Sequence, residues 1–365
     1  MGGCSSHETE EDKQSKAIDK RLMEESREDP GALRCLLLGP GESGKSTVFK
    51  QMRLSNRKPF TPKERDEYTA NVYDNLIEYM KALCYATEEL GFKNELEDES
   101  EDAWEVVLNA DRDQRMGCTP ELFDALETLW KDEVIQEAWK DRARFNIIDS
   151  AAYFFENIER IREPGYKATD DDILRVRIRT RNIIVEPLQV VGKGGQVNTM
   201  EVIDVGGQQT ERKKWIHYFD SVDLVIFIAA LSEYNQLLNE NDTENRMVDA
   251  IEEFERIING HAFLDQNVVL FLNKIDLFEK KVPKVPIQSV SAFEDFDPSR
   301  FPSAESEVEA GMMYFEEKFL ERNANADRSI FTHFTCATDT TQMSKLIDDA
   351  IISLAFEMFQ DSGFI

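Results

Sequence analysis

Residues 39–46 read Gly39-Pro40-Gly41-Glu42-Ser43-Gly44-Lys45-Ser46 and match the pattern GxxxxGK[ST] in full. They follow the apolar run at residues 32–38, which predicts a buried strand, and they precede a predicted helix at residues 45–52. In a phosphate-binding loop of this kind, glycines let backbone N–H groups turn toward phosphates, a lysine adds positive charge, and a hydroxyl serves Mg²⁺. The motif therefore predicts a nucleoside triphosphate site, and it is shared by kinases, ATPases and GTPases.

The rest of the chain has the pattern of an α/β protein. Strand signals recur at residues 183–185, 200–203, 223–230, 268–272 and 330–335, with helical patterns at 244–258, 303–322 and 343–359. Because strands alternate with helices, we expect a mostly parallel sheet of six strands. A helical block at residues 60–173 interrupts the alternation and is predicted to be an inserted all-α domain, which leaves residues 33–59 and 174–365 for the α/β domain. An acidic run at residues 94–105 is interpreted as a solvated loop.

Composition excludes several other classes of protein. The 365 residues include 43 basic and 72 acidic ones, and the net charge of −29 argues against nucleic acid as a partner. Five cysteines without a CxxC pair indicate free thiols in a reducing compartment. No apolar run approaches the roughly 20 residues of a membrane span, so we expect the chain to stay in the cytosol.

A second motif specifies the base of the nucleotide. Asn273-Lys274-Ile275-Asp276 follows the strand predicted at residues 268–272. The Asp276 carboxylate can accept two hydrogen bonds from guanine, and adenine lacks this pair of donors. Lys274 can lay its stem along the base, Asn273 can tie the nucleotide loops together, and Ala337 can offer its N–H to the guanine oxygen. Together with the phosphate loop, these residues predict a guanine nucleotide.

Two further segments supply candidate hydrolytic groups. In Asp204-Val205-Gly206-Gly207-Gln208, the acid can hold Mg²⁺ through water, Gly207 can turn its N–H toward a γ-phosphate, and Gln208 can orient the attacking water. Upstream lies a basic segment in which Thr180 is a candidate second hydroxyl ligand for Mg²⁺. Arg177 could neutralise charge that develops in the transition state. By itself, that basic segment is more typical of a solvated strand or linker.

The N-terminus matches a lipidation pattern. Met1-Gly2-Gly3-Cys4-Ser5-Ser6 fits N-myristoylation at Gly2, and Cys4 is placed for palmitoylation. One myristoyl chain binds a membrane weakly, and a second acyl chain makes the anchor stable. The rest of residues 1–32 is polar with a thin apolar stripe, which on periodicity alone favours a solvated helix or tail.

The motifs together resemble heterotrimeric G-protein alpha subunits. The segments that carry the resemblance are GPGESGKST (39–47), ILRVRIRT (173–180), DVGGQQTERKKWIHYFD (204–220), FLNKIDLF (271–278) and FTHFTCATDT (331–340). Their order and spacing match over essentially the whole chain, more weakly at residues 55–145. The resemblance implies a Ras-like P-loop GTPase domain with an inserted helical domain, and a GTP-hydrolysing switch between receptors and effectors that uses Mg²⁺.

The resemblance also implies roles for individual residues. Arg177 would be an arginine finger supplied by the chain itself, Gln208 would position water, and Ser46 and Thr180 would hold Mg²⁺. The implied nucleotide contacts include the phosphate-loop residues Glu42, Ser43, Gly44, Lys45, Ser46 and Thr47, the pair Asp149 and Ser150, and Leu174 and Arg175, with Arg175 near the ribose.

Partners follow from the same resemblance. Lys213, Lys214 and Trp215 would lie on a mobile second switch where a beta-gamma dimer docks, and the N-terminal helix would lie on the beta subunit. The C-terminus, Gly363-Phe364-Ile365, would face an activated receptor. Effectors, and regulators that accelerate hydrolysis, complete the set. The lipidated chain would lie on the cytoplasmic face of the plasma membrane.

Some positions depart from the pattern of the family. Pro40 stands where Ala is usual and removes one N–H, Arg181-Asn182 replaces the common Thr-Gly, and Gln209 stands where Arg is common. The alternative function is a nucleotide-binding signalling scaffold with little or no turnover. Among these departures, Pro40 alone favours that alternative. Arg177 and Gln208 argue against that alternative, and the guanine motif argues against a P-loop kinase or ATPase.

Overall fold

The computed structural model describes residues 32–110, 118–145, 147–180, 183–191, 197–212, 215, 219, 222–238, 243–263 and 266–347. The predictions for the N-terminal helix, for lipidation at Gly2 and Cys4, for Lys213 and Lys214, for Arg181-Asn182 and for the C-terminus lie outside these residues. No helix in the described part of the chain is long and apolar enough to cross a membrane.

A six-stranded sheet forms the centre of the fold. Its strands are β1 (Leu33–Leu38), β2 (Ile184–Val191), β3 (Val197–Asp204), β4 (Leu224–Ala230), β5 (Asn267–Asn273) and β6 (Ile330–Thr335), in the order β2-β3-β1-β4-β5-β6. The edge strand β2 pairs antiparallel with β3, and the other neighbours are parallel. The prediction of a mostly parallel, six-stranded α/β sheet is confirmed.

Both faces of the sheet are covered by apolar side chains. In β1, Cys35 and Leu37 join one core with Met52 and Met343, whereas Leu36 and Leu38 join the other with residues such as Phe254 and Phe315. Successive side chains of a strand point to opposite faces, so a strand buried on both faces reads as a continuous apolar run. The helices beside the sheet are Lys45–Ser55, Gln209–Arg212, Arg246–Ile258, Ile275–Lys281, Glu307–Leu320 and Thr340–Leu346.

The chain divides into two compact units. Among the described residues, the first takes those within Met1–Lys58, Arg179–Tyr234 and Met247–Ile365, and the second those within Pro59–Ile178 and Asn235–Arg246. Arg177 therefore belongs to the second unit and Thr180 to the first. The second unit contains the α-helices Pro62–Glu89, Asp98–Asn109, Pro120–Lys131, Glu133–Lys140, Ser150–Glu156, Ile158–Ile161 and Asp170–Arg175.

The interpretation of residues 94–105 as a solvated loop is wrong. A helix runs over Asp98–Asn109, and its residues Trp104 and Val107 are buried at 2% and 0% exposure. Acidic residues in its first turn favour this helix because they lie at the positive end of the helix dipole. The charges therefore lie on the exposed face of a helix whose other face packs in the core of the second unit.

Candidate nucleotide site

The phosphate loop connects β1 to the helix Lys45–Ser55. Gly44, at φ 105°, directly precedes that helix and carries no capping side chain. A Cβ added at Gly44 would lie 2.2 Å from Nδ2 of Asn273. Glu42 has φ 67°, a left-handed conformation that is uncommon outside glycine and that bends the loop sharply. Phosphates can therefore reach the N-terminal turn of the helix, where backbone N–H groups and the helix dipole favour anions.

Lys45 lies inside this loop. Its Nζ donates hydrogen bonds to the carbonyl oxygens of Gly39 at 2.9 Å and Pro40 at 2.7 Å. Burial lowers the pKa of Lys45 to about 8, and the nearby Asp204 carboxylate opposes that shift. Pro40 lacks an N–H, and its carbonyl holds the lysine. The loop thus places a buried ammonium where phosphate oxygens would take over its hydrogen bonds.

Three segments of the first unit meet at the hydroxyl of Ser46. Its Oγ donates to Asp204 Oδ2 at 2.7 Å and lies 2.9 Å from Oγ1 of Thr180. Asp204 is fully buried, and its other oxygen, Oδ1, has no hydrogen-bond partner among the described residues. Burial raises the pKa of Asp204, while Lys45 and Ser46 lower it.

These groups fit Mg²⁺. The ion prefers oxygen ligands and keeps several waters and phosphates around it, and an unbonded buried carboxylate oxygen is costly without a cation nearby. Within the described residues, no group of three or more His, Cys, Asp or Glu side chains could hold a metal. The two hydroxyls, the phosphates of the nucleotide and water could serve as ligands of such an ion.

Gly207 and Gln208 lie against the phosphate loop. A Cβ added at Gly207 would come within 2.0 Å of Lys45 Nζ and 2.6 Å of the Gly39 carbonyl oxygen, so glycine is required there. A Cβ at Gly41 would lie 3.2 Å from Cγ of Gln208. The predicted water-orienting glutamine is therefore beside the loop that is predicted to hold the phosphates.

Asn273 joins three loops of the first unit. Its Nδ2 donates to the Ser43 carbonyl at 2.9 Å, and its Oδ1 accepts from Thr335 Oγ1 at 3.1 Å and from the Ala337 N–H at 3.0 Å. Asn273 is 1% exposed, so these bonds are shielded from water. The Ala337 N–H, predicted to serve the guanine oxygen, is donated to Asn273 here.

The other two residues of the guanine motif follow β5. Lys274 has φ 63°, and its Nζ lies 2.6 Å from Oε1 of Glu233, a residue that is 4% exposed. Asp276 is half-buried beside Cys336, and burial together with this carboxylate raises the pKa of the Cys336 thiol. Glu233 has no motif of its own, and sequence reasoning missed it.

Gly206, Arg212 and Trp215 make hydrogen bonds within the first unit. The Trp215 ring is fully buried, and its Nε1 donates to the Gly206 carbonyl at 2.8 Å. Arg212 donates to Asp249 at 2.9 Å and to Glu253 at 3.3 Å on the helix Arg246–Ile258. Because the ring is buried in this arrangement, a partner could reach it only after the segment moves.

The remaining predicted residues lie in the second unit. Asp149 accepts from Arg142 Nε at 2.8 Å, and Ser150 begins the helix Ser150–Glu156. Leu174 is buried at 2% exposure. Arg175 pairs with Asp171 at 2.7 Å and lies over the Tyr153 ring at 4.6 Å from its centroid. Arg177 is half-buried, and its backbone is bonded to Asn75.

Comparison with known proteins identifies relatives along the whole chain. A family model described as G-protein alpha subunit matches residues 12–353. The guanine nucleotide-binding protein alpha-17 subunit of Caenorhabditis elegans is 36% identical over 370 residues, and the alpha-3 subunit of the same organism is 38% identical over 365 residues; both matches cover 100% of each chain. A guanine nucleotide-binding protein subunit alpha of Cryphonectria parasitica is 37% identical over 343 residues, 93% of each chain.

The phosphate loop, the guanine motif and the parallel sheet define a P-loop protein that binds guanine nucleotides. The chain belongs to the G-protein alpha subunit family. Members of this family are GTPases, and the chain acts as a GTP-binding switch in heterotrimeric G-protein signalling, alongside beta-gamma dimers, receptors and effectors.

Proposed function

We propose that this chain binds GTP together with Mg²⁺, hydrolyses it slowly, and signals through two segments, around Thr180 and Gly207, that respond to the γ-phosphate. One observation carries the proposal. The Ser46 hydroxyl is bonded to Asp204 and lies within hydrogen-bond distance of Thr180, residues that are 158 and 134 positions away in the chain. A loss of the γ-phosphate would release both segments, as in other order–disorder switches.

The residues of the first unit divide between phosphates and base. We assign the phosphates to Glu42, Ser43, Gly44, Lys45, Ser46 and Thr47, the metal to Ser46 and Thr180, and the base to Asn273, Lys274, Asp276 and Ala337. Asp276 gives the specificity for guanine, because a desolvated carboxylate facing adenine would lack both its hydrogen bonds. The nucleotide would share or replace the Asn273 hydrogen bond of the Ala337 N–H.

Hydrolysis needs an oriented water and neutralisation of charge. We assign the attacking water to Gln208 and the neutralisation of charge to Arg177. Asp204 would hold Mg²⁺ through water, and the Gly207 N–H would serve the γ-phosphate. Bound Mg²⁺ would neutralise charge on the phosphate oxygens. Asp149, Ser150, Leu174 and Arg175 complete the proposed nucleotide contacts, and Leu174 would act through its backbone because its side chain is buried.

The proposal extends to the membrane and the partners. Acyl chains on Gly2 and Cys4 would hold the protein on the inner leaflet of the plasma membrane. The N-terminal helix with Lys213, Lys214 and Trp215 would bind the beta-gamma dimer in the GDP state, and the C-terminus would bind the receptor. Regulators that accelerate hydrolysis would meet Arg181-Asn182 at their contact point, so their effect has to be measured directly.

The test is single-turnover phosphate release from GTP with Mg²⁺. Gln208→Leu should slow release at least about 100-fold, because the attacking water is then no longer held in line with the γ-phosphate. Gln209→Leu, the neighbouring residue of the same type, is the matched control and should stay near the wild-type rate. Both variants should still take up a non-hydrolysable GTP analogue, followed through the fluorescence of Trp215.

Two results would contradict the proposal. Uptake of the analogue without phosphate release by the wild-type chain would identify a scaffold that has lost turnover, and would direct attention to Pro40. Displacement of labelled GTP by ATP at comparable concentration would show that Asp276 does not select guanine.

A further inference from the structure

We propose that Asn75 is a positioning residue for GTP hydrolysis, because its side-chain amide fixes the backbone of Arg177. The inference rests on the proposed role of Arg177 as the arginine that neutralises charge in the transition state. Asn75 belongs to the long helix Pro62–Glu89 of the second unit, 102 residues away in the chain.

The contact is a two-bond bracket. Oδ1 of Asn75 accepts a hydrogen bond from the Arg177 N–H at 2.7 Å, and Nδ2 of Asn75 donates to the Arg177 carbonyl at 3.1 Å. An amide side chain therefore pairs with both backbone polar groups of one residue, as a neighbouring strand would do. The bracket fixes the backbone on each side of the Arg177 Cα.

The amide itself is held in one orientation. Tyr79, one turn further along the helix, donates its hydroxyl to Oδ1 of Asn75 at 3.0 Å. Asn75 and Tyr79 are 4% and 3% exposed, so water competes little for these bonds. Since Oδ1 receives two donors, Nδ2 is left to face the Arg177 carbonyl.

The residue before Arg177 is also fixed. Val176 is 5% exposed, packs in the apolar core of the second unit, and donates its N–H to the Asp172 carbonyl at 2.8 Å. The residue after it, Ile178, is 42% exposed. The backbone is therefore fixed up to Arg177, so the Cα from which the Arg177 side chain extends has a defined position.

This matters because an arginine that acts on a transition state must be placed closely. A displacement of about 1 Å can cost about 100-fold in rate. A bracket that only satisfied buried backbone groups would affect stability alone. If the bracket positions Arg177, removing the Asn75 amide should also slow hydrolysis, but only in a chain that still has Arg177.

The experiment uses the full chain and single-turnover hydrolysis of saturating GTP with Mg²⁺. Asn75→Ala should slow hydrolysis about 10- to 100-fold, with GDP affinity changed by less than about threefold. Asn71→Ala is the matched control, because Asn71 lies one turn earlier and its amide donates only to the Glu67 carbonyl of its own helix among the contacts described. It should hydrolyse GTP at the wild-type rate.

The double variant separates this inference from the proposed function. In an Arg177→Ala background, Asn75→Ala should cause no further loss of rate. If Arg177→Ala alone leaves the rate unchanged, the proposed role of Arg177 is wrong and the inference falls with it. If Arg177→Ala is slow while Asn75→Ala matches the wild type, or if the two losses multiply, only the inference is overturned.

A conservative variant covers the case in which Asn75→Ala fails to fold. Asn75→Asp keeps the volume and the acceptor for the Arg177 N–H, and loses the donor to the Arg177 carbonyl. It should fold, as checked by circular dichroism, and should show a rate between those of the wild type and Arg177→Ala. A wild-type rate from the folded Asn75→Asp variant would count against the bracket.

Discussion

The carboxyl edge of the sheet and the interior of the helical unit both contain buried polar groups, but the partners of these groups differ. At the sheet edge, the phosphate loop follows β1, Gly207 follows β3, Asn273 ends β5 and Ala337 follows β6. In the helical unit, the fully buried carboxylate of Asp172 gathers side chains from other elements instead. Its donors are Arg160 at 2.7 and 3.0 Å, Tyr153 at 2.9 Å, Tyr166 at 2.8 Å, and the N–H and hydroxyl of Thr169 at 2.8 Å each.

The difference shows which sites can be recognised in a single sequence. In the nucleotide site proposed at the sheet edge, backbone groups would make many of the contacts, so glycines and short spacings are required and form motifs. In the helical unit, common side chains make the hydrogen bonds to Asp172. Their spacing in the sequence depends only on how the helices pack, so they form no motif. Adding a single Cβ to a glycine should therefore disturb the sheet-edge site most. Removing a single side-chain charge should disturb the helical network most.

The largest effect should come from backbone clearance. Gly44→Ala should weaken GDP binding about 100- to 1,000-fold, since the added Cβ would lie 2.2 Å from Asn273 Nδ2 and would break its bond to the Ser43 carbonyl. Fluorescence titration with a labelled GDP measures this affinity.

The matched control is Gly91→Ala. Gly91 also has a positive φ, 83°, and a Cβ there would meet nothing within 4 Å. It carries the conformational strain without the clash, so GDP affinity should be unchanged. An equal loss of affinity in both variants would mean that a general loss of stability, and not the Asn273 contact, explains the result.

The charge of the helical network should come next. Asp172→Asn should lower the free energy of unfolding by roughly 2–3 kcal/mol, less than for a fully buried pair because the Arg160 side chain is 38% exposed. Urea unfolding followed by circular dichroism measures this change. Asp170→Asn, on the same helix with an ion pair to Arg65 at 50% exposure of the carboxylate, should cost well under about 1 kcal/mol.

The same variant has a defined pH dependence. Burial alone would raise the pKa of Asp172, but hydrogen bonds from Arg160, Thr169 and Tyr166 hold it well below its usual range. A depressed pKa stabilises the folded state above the unfolded value of about 3.9, and that contribution is lost as the pH falls toward the folded pKa. The difference in the free energy of unfolding between wild type and Asp172→Asn should be constant from pH 7 to pH 5 and should decrease below about pH 4. A constant gap down to pH 2 would contradict this account.

The smallest effect should come from removing one donor of the network. Tyr153→Phe deletes the hydroxyl that donates to Asp172 Oδ1 and should lower the free energy of unfolding by about 1 kcal/mol, because five other donors remain. Tyr85→Phe, at a residue that is 60% exposed, is the control and should be neutral within about 0.5 kcal/mol. A loss as large as that of Asp172→Asn would show that the network acts as a single unit.

Much of the sheet, and the places in the fold of the loops that follow β1 and β5, could be predicted from the sequence. The apolar runs of β1, β4 and β5 are almost wholly buried, and the strand Ile330–Thr335 has the predicted bounds. The helix Asp98–Asn109 could not, because five of its twelve residues are acidic, as in a solvated segment, and its only large buried side chains are Trp104 and Val107. Asn75 lies on the apolar face of a predicted helix, which was a signal, but its partner 102 residues away is set by packing alone.

The hydrogen bonds of Asn273 make the site vulnerable to a single mutation in the gene. Its carboxamide nitrogen donates to the Ser43 carbonyl, while its oxygen accepts from Thr335 and Ala337. Asparagine and aspartate codons differ by one base, and the two side chains differ by one atom. That exchange would keep the acceptor for the β6 side and would set a negative oxygen against the Ser43 carbonyl, so a single-letter error in the gene is enough to separate the base loop from the phosphate loop.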